Sequence, residues 1–218
     1  MIKLSCRKDL ERYCKSNLIK IEDFNEPVEI AEGSDCHHMF FKCKAFNQSV
    51  TIPDGVKDCS YMFCECYSFN QSVTIPNSVT NCDNMFSGCY SFNQSVIISD
   101  NVNNCHCMFY GCEVFNQPIV IPNGVTRCDG MFFYCEAFNQ PITIPDGVTN
   151  CHHMFGFCYS LNQSVIIPSS VTNCSGIFSG CTSLAEKNIL YKKNTKCMPN
   201  ERTESCSISD YSSETSLF

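Results

Sequence analysis

The chain has 218 residues, 44% of them hydrophobic and only 17% charged, with a formal net charge of −7. That length buries a core without help from metals or bridges, and that apolar content excludes wholesale disorder. The acidic balance lacks the basic footprint that phosphate-backbone binding needs, so no nucleic-acid partner is expected. Cysteine is the outlier, with twenty copies. In a short secreted chain this density would mean a disulfide framework.

From the N-terminus, Arg7, Lys8, Asp9, Glu11 and Arg12 interrupt any apolar run of signal-peptide length. No stretch approaches the ~20 apolar residues of a membrane span. The expectation is a cytoplasmic chain, with the cell surface as the alternative. Residues 1–23 are charged and partly helical in pattern. The segment Phe24-Asn25-Glu26-Pro27-Val28-Glu29-Ile30 is a degenerate copy of a motif that follows, one residue out of phase with Phe46. Residues 1–35 are therefore expected to form an N-terminal cap.

From Cys36 the chain repeats. Cysteine recurs at 36, 59, 82, 105, 128, 151 and 174, and again seven residues later at 43, 66, 89, 112, 135, 158 and 181. Phenylalanine keeps the same beat at 40, 63, 86, 109, 132, 155 and 178. A second aromatic column runs 46, 69, 92, 115 and 138 and becomes Leu161 and Leu184. The unit reads Cys-x-x-Met-Phe-x-x-Cys-x-x-Phe-Asn-Gln-Ser-Val-x-Ile-Pro-x-x-Val-x-x, a period of 23. A fixed period of this length is the signature of a solenoid, in which each coil stacks only on its neighbours.

Local chemistry assigns each part of the coil. Val50-Thr51-Ile52 alternates and is β-branched, so it predicts a short strand with Val50 and Ile52 inward. Pro53-Asp54-Gly55 ends it, because proline lacks a donor and Asp-Gly favours a turn. Cys59, Met62, Phe63 and Cys66 are spaced as in a helical or 3-10 turn facing the core. Strands one period apart are expected to stack in parallel at about 4.8 Å. The prediction is a right-handed solenoid of about seven 23-residue units. It has a core over 36–181, a C-terminal cap at 182–197 that keeps Leu184 and Ile189, and a disordered Ser-, Thr- and Glu-rich tail at 198–218.

The triplets Phe69-Asn70-Gln71 and Val79-Thr80-Asn81, followed by Met85-Phe86, carry a resemblance. The pattern is similar to the 23-residue leucine-rich repeats of the BspA-like class. It is closer still to the related surface-protein repeat of mycoplasmal lipoproteins. The resemblance covers about residues 24–184 and implies a leucine-rich-repeat solenoid, with many relatives on cell surfaces. The usual leucines are replaced here by Phe, Val, Ile, Met and Cys.

Several groups invite chemistry. The cysteine columns are read as buried small hydrophobes, since seven members per column cannot all pair with column neighbours; a metal ladder, a disulfide ladder and bridges within a coil such as Cys36–Cys43 are the alternatives. Cys6, Cys14, Cys64, Cys107, Cys197 and Cys206 are read as lying off the columns, Cys64 and Cys107 as candidates for exposure. Cys36-His37-His38, Cys105-His106-Cys107 and Cys151-His152-His153 resemble metal ligands. The same slots hold Ser60-Tyr61, Asp83-Asn84 and Asp129-Gly130 elsewhere, which predicts a solvated turn. No metal or cofactor is expected, and no catalytic constellation stands out. The asparagines at 47, 70, 93, 116, 139 and 162 are read as a stack that satisfies backbone groups at a corner. Their glycosylation sequons matter only in a secretory pathway.

Function in a solenoid usually lies on the extended face made by the strands. Its outward positions here are Ser49, Thr51, Ser72, Thr74, Ser95 and Ile97, then Pro118, Val120, Pro141, Thr143, Ser164 and Ile166. The strip is uncharged and suits a flat protein contact with a repetitive or multivalent partner, rather than phosphate or a deep pocket. The sequence therefore points to a non-enzymatic protein-interaction module. The alternatives are a cell-surface or adhesion protein of BspA-like type and a thiol-rich redox or metal-binding protein.

Overall fold

A computed structural model describes residues 1–197; the expected tail lies outside the described residues. The N-terminal end carries strand β1 (Ile2–Leu4), helix α1 (Arg7–Ser16) and strand β2 (Val28–Ile30). β1 and β2 pair in parallel, with Ile2 opposite Val28. The degenerate copy at Phe24 is thus a true coil. Helix α1 buries Leu10 and Cys14 and turns its charges outward. Its Arg7 Nη1 donates to the carbonyls of Phe41 (2.6 Å) and Met39 (3.4 Å). In every later coil the corresponding carbonyls accept from the backbone of the coil before, as Met62 O does from Phe40 N. The guanidinium replaces the turn-side amides that the preceding, degenerate coil does not supply.

The segment predicted as a helical or 3-10 turn is neither. Across residues 58–66 it is a run of overlapping turns, with bonds such as Met62 N to Cys59 O and Cys66 N to Phe63 O. Left-handed residues punctuate the run, including Tyr61 (φ 56°) and Glu65 (φ 59°), and recur one coil on at Asn84 and Gly88. The alternation is the physical reason no helix forms. It turns every second N–H out of the coil, so that Cys59, Tyr61, Phe63 and Glu65 donate to Asn81, Asp83, Met85 and Ser87 of the next. Gly88, at φ 72°, adopts without a Cβ penalty what a side chain must be forced into.

The core lies between this turn side and the strand side. The two phenylalanine columns interleave there as one stack. Phe63 lies 5.6 Å from Phe86 in the next coil and 4.3 Å from Phe69 in its own. These rings are fully buried, together with the Met and Cys columns. Each such large apolar side chain contributes about 1.5–3 kcal/mol by leaving water.

The strand side is more loosely bonded than predicted. Val50 and Ile52, Val73 and Ile75, and their later counterparts point inward. Continuous ladders, however, form only at the ends of the stack. Near the C-terminus, β3 (Ile142–Thr143), β4 (Val165–Ile167) and β5 (Ile189–Tyr191) pair in parallel, with Val165 opposite both Ile142 and Ile189. In the middle coils no amide of residues 50–52, 73–75, 96–98 or 119–121 reaches the next coil in hydrogen-bond geometry. The asparagine side chains carry that junction. Asn47 Oδ1 accepts from Asn70 N at 2.9 Å and from Gln71 Nε2 at 3.1 Å, and the pattern continues from Asn25 to Asn162.

Candidate interaction face

Strand alternation places the outward side chains in one strip. Ser49, Thr51, Ser72, Thr74, Ser95, Ile97, Pro118, Val120, Pro141, Thr143 and Ser164 are exposed, and Ile166 is half-buried. The strip is not uniform along its length. At the N-terminal end its serines donate to glutamines of the next coil, as Ser49 Oγ does to Gln71 Oε1 at 3.3 Å. Further on, Ile97 and Val120 stand 85% and 82% exposed, unusual values for such side chains.

Beside Val120 the face opens into a groove of about 420 Å³, lined by Val120, Asn123, Pro141, Thr143, Ser164 and Ile166 among others. Five of these are residues the sequence nominated. The groove lies where the ladder stops. Ile142 N bonds to Ser164 O and Ile144 N to Ile166 O, whereas residues 119–121 make no equivalent bond. Asn123, in the turn that follows, carried no signal in the alternation. Between Asp58 and Glu186 the sequence holds nine acidic residues and one basic one, Arg127.

The turn side differs from expectation in three ways. The variable polar slots are only partly solvated: Ser60, His106, Asp129 and His153 are buried, whereas His37 and Ser175 are exposed. His106 Nδ1 lies 2.7 Å from Asp129 Oδ2, and Arg127 Nε lies 3.2 Å from Asp129 Oδ1. Burial pushes the Asp129 carboxyl up, but the His106 hydrogen bond and the two cationic neighbours hold it below its ordinary value. Secondly, Cys64 and Cys107 are buried rather than exposed. Thirdly, Cys197 belongs to the first cysteine column, one period after Cys174, and the two form a disulfide. The faded motif around Cys197 hid its register.

The two columns have different chemistry. In the second, each thiol from Cys66 to Cys181 donates to a phenylalanine carbonyl of the preceding coil, as Cys112 Sγ does to Phe86 O at 3.1 Å and Cys135 Sγ to Phe109 O at 3.0 Å. Burial pushes these thiols well above their ordinary pKa. They act as satisfied donors in the core, which a simple hydrophobe could not do. Among the described residues no three His, Cys, Asp or Glu side chains converge to hold a metal ion. No helix among them is long and apolar enough to cross a membrane.

Residues 15–98, 34–143 and 122–203 match the family described as "Mycoplasma protein of unknown function, DUF285". The chain belongs to this family. The DUF285 matches together span every copy of the repeat. Three solved structures are similar. The first is a leucine-rich repeat protein from Bacteroides ovatus, 24% identical, with a TM-score of 0.65 over 82% of this chain. The alignment takes in 45% of that protein, so this chain spans less than half its length. A leucine-rich repeat protein of T. pallidum is 24% identical over 64% of this chain and 78% of its own, with a TM-score of 0.46. A leucine-rich cell surface protein of Faecalibacterium prausnitzii is 20% identical over 75% and 72%, with a TM-score of 0.33. No curated protein matches the chain. The Bacteroides structure gives this DUF285 chain the leucine-rich-repeat solenoid fold. The BspA-like resemblance read from Phe69-Asn70-Gln71 and Met85-Phe86 agrees with it.

Proposed function

We propose that this chain is a non-enzymatic protein-interaction module. In this reading a right-handed coil of about seven 23-residue units spans residues 36–181, between caps at 1–35 and 182–197. The uncharged strip from Ser49 to Ile166 is its binding face, and the groove beside Val120 is the principal contact. The observation that carries the reading is the exposure of Ile97 and Val120 beside that groove. An apolar patch left open on an otherwise well-satisfied surface marks an interaction site. The test is affinity capture from the native source with wild-type protein and the Val120→Glu variant. Loss of a specific partner with an unchanged circular-dichroism spectrum supports the face. Capture of the same partners by both removes it.

A second reading, a cell-surface or adhesion protein, is favoured by the Cys174–Cys197 disulfide, because such bonds persist in oxidising compartments. Surface biotinylation of intact cells separates the two. Labelling of this chain selects the surface, and its absence with robust labelling of known surface proteins selects the interior.

A further inference from the structure

With Cys197 in place the first column has eight members, Cys36, Cys59, Cys82, Cys105, Cys128, Cys151, Cys174 and Cys197. One step of it is a disulfide, closed across a Cα–Cα distance of 6.0 Å. Other steps share its register. Parallel bridges pair Arg127 with Asn150 and Asn150 with Asn173, so the residues that follow, Cys128, Cys151 and Cys174, sit side by side on successive coils. Parallel neighbours lie about 4.8 Å apart, inside the ~4.4–6.8 Å Cα range of a disulfide.

The thiols alternate within that register. Cys174 is committed to Cys197, which leaves Cys128 as the column neighbour of Cys151; Cys128 Sγ itself donates to Met154 Sδ at 3.9 Å. Counting on in pairs from Cys197 along the stacked coils assigns Cys105 to Cys82 and Cys59 to Cys36.

We propose that the first cysteine column is a four-rung disulfide ladder, with Cys174–Cys197 closed and Cys128–Cys151, Cys82–Cys105 and Cys36–Cys59 closing on oxidation. The co-reactant is a low-molecular-weight disulfide. One column thiolate attacks a sulfur of that reagent, forming a mixed disulfide and expelling the first small thiolate. The neighbouring thiolate then attacks the protein sulfur of the mixed disulfide, closing the rung and expelling the second. Each rung loses two protons and two electrons from the protein, and one reagent disulfide becomes two thiols. The column is buried, so the reaction runs through local opening of a coil, and it quickens as pH rises because the thiolate, not the thiol, is the nucleophile. The Cys128–Cys151 rung staples the coils whose strands, β3 and β4, line the groove. The claim is about the thiols and stands whether or not the groove binds a partner.

The test treats the folded full chain with cystamine, quenches in acid, alkylates in denaturant and maps the linked peptides. The expected product is Cys128 linked to Cys151 beside the existing Cys174–Cys197 link, with two hydrogens lost per rung in the intact mass. Cys151→Ser abolishes that one link and keeps the other rungs. Four outcomes overturn the proposal: alkylation of both Cys128 and Cys151 after treatment, an unresolved cysteamine adduct on either, an out-of-phase Cys105–Cys128 link, or no change in mass. Mapping the wild-type chain is decisive by itself if Cys151→Ser does not fold.

Discussion

The turn side and the strand side of this solenoid are made by the same repeat, yet they are held in different ways. On the turn side, left-handed residues aim alternate amides at the next coil, and successive coils are bonded backbone to backbone from Cys59 onward. On the strand side of the middle coils, asparagine side chains make the junction. The side that carries the bonding buries even its variable residues, His106 and Asp129. The side that is less bonded leaves Ile97 and Val120 open. Stability and recognition are thereby assigned to opposite faces. A strand face that need not supply the ladder is free to change its outward residues from Ser and Thr to Ile, Pro and Val.

The comparison breaks first in the shared core. Phe109→Ala leaves a void in the ring stack and is expected to cost about 3–5 kcal/mol in urea denaturation. A loss below about 1 kcal/mol would mean the stack does not hold the two sides together. On the turn side, Gly180 has φ 70°, and a Cβ there would stand 2.6 Å from Cδ1 of Phe157. Gly180→Ala is expected to exceed the ~1–2 kcal/mol of a left-handed side chain alone. Gly88→Ala, whose Cβ meets only ordinary contacts, is expected to stay within that range. Equal effects at the two sites would refute the ring-over-glycine packing.

At the N-terminal end, Arg7→Ala strands the carbonyls of Met39 and Phe41 and is expected to cost about 1.5–3 kcal/mol, the range for hydrogen bonds to a charged group. Chemical denaturation of the full chain reads this, with Glu11→Ala as the control that removes only the exposed ion-pair partner. The smallest effect belongs to the strand face. Val120→Glu is expected to change stability by no more than about 0.5 kcal/mol, as for other exposed sites. A thermal melt that falls sharply would show that Val120 is packed.

The period, the buried columns and the stacked asparagines were legible because each rests on a residue type repeated in place. The face was legible from alternation alone, since Val50 inward puts Thr51 outward. The turn segment was misread because spacings of three and four suit a helix and a chain of turns alike. The signal that separates them is the intermittent glycine at 88, 111 and 180, in the column that also holds Glu65 and Tyr134. The two cysteine columns could not be told apart by spacing. What distinguishes them is the partner of the sulfur: a phenylalanine carbonyl in the second column from Cys66 onward, and Cys197 for Cys174 in the first. The groove depends on where backbone pairing stops between residues 119–121 and β3, and the near-identical motifs at those two coils do not encode that.

Residue-resolved amide hydrogen exchange on the native protein tests the division of labour most directly. The account predicts strong protection for Phe63, Phe86, Phe109 and Phe132, whose amides donate to the next coil. It predicts rapid exchange for Thr51, Thr74, Ile97 and Val120 in the middle coils. Equal protection on both faces would show a continuous strand ladder and contradict the assignment of bonding to one side and recognition to the other.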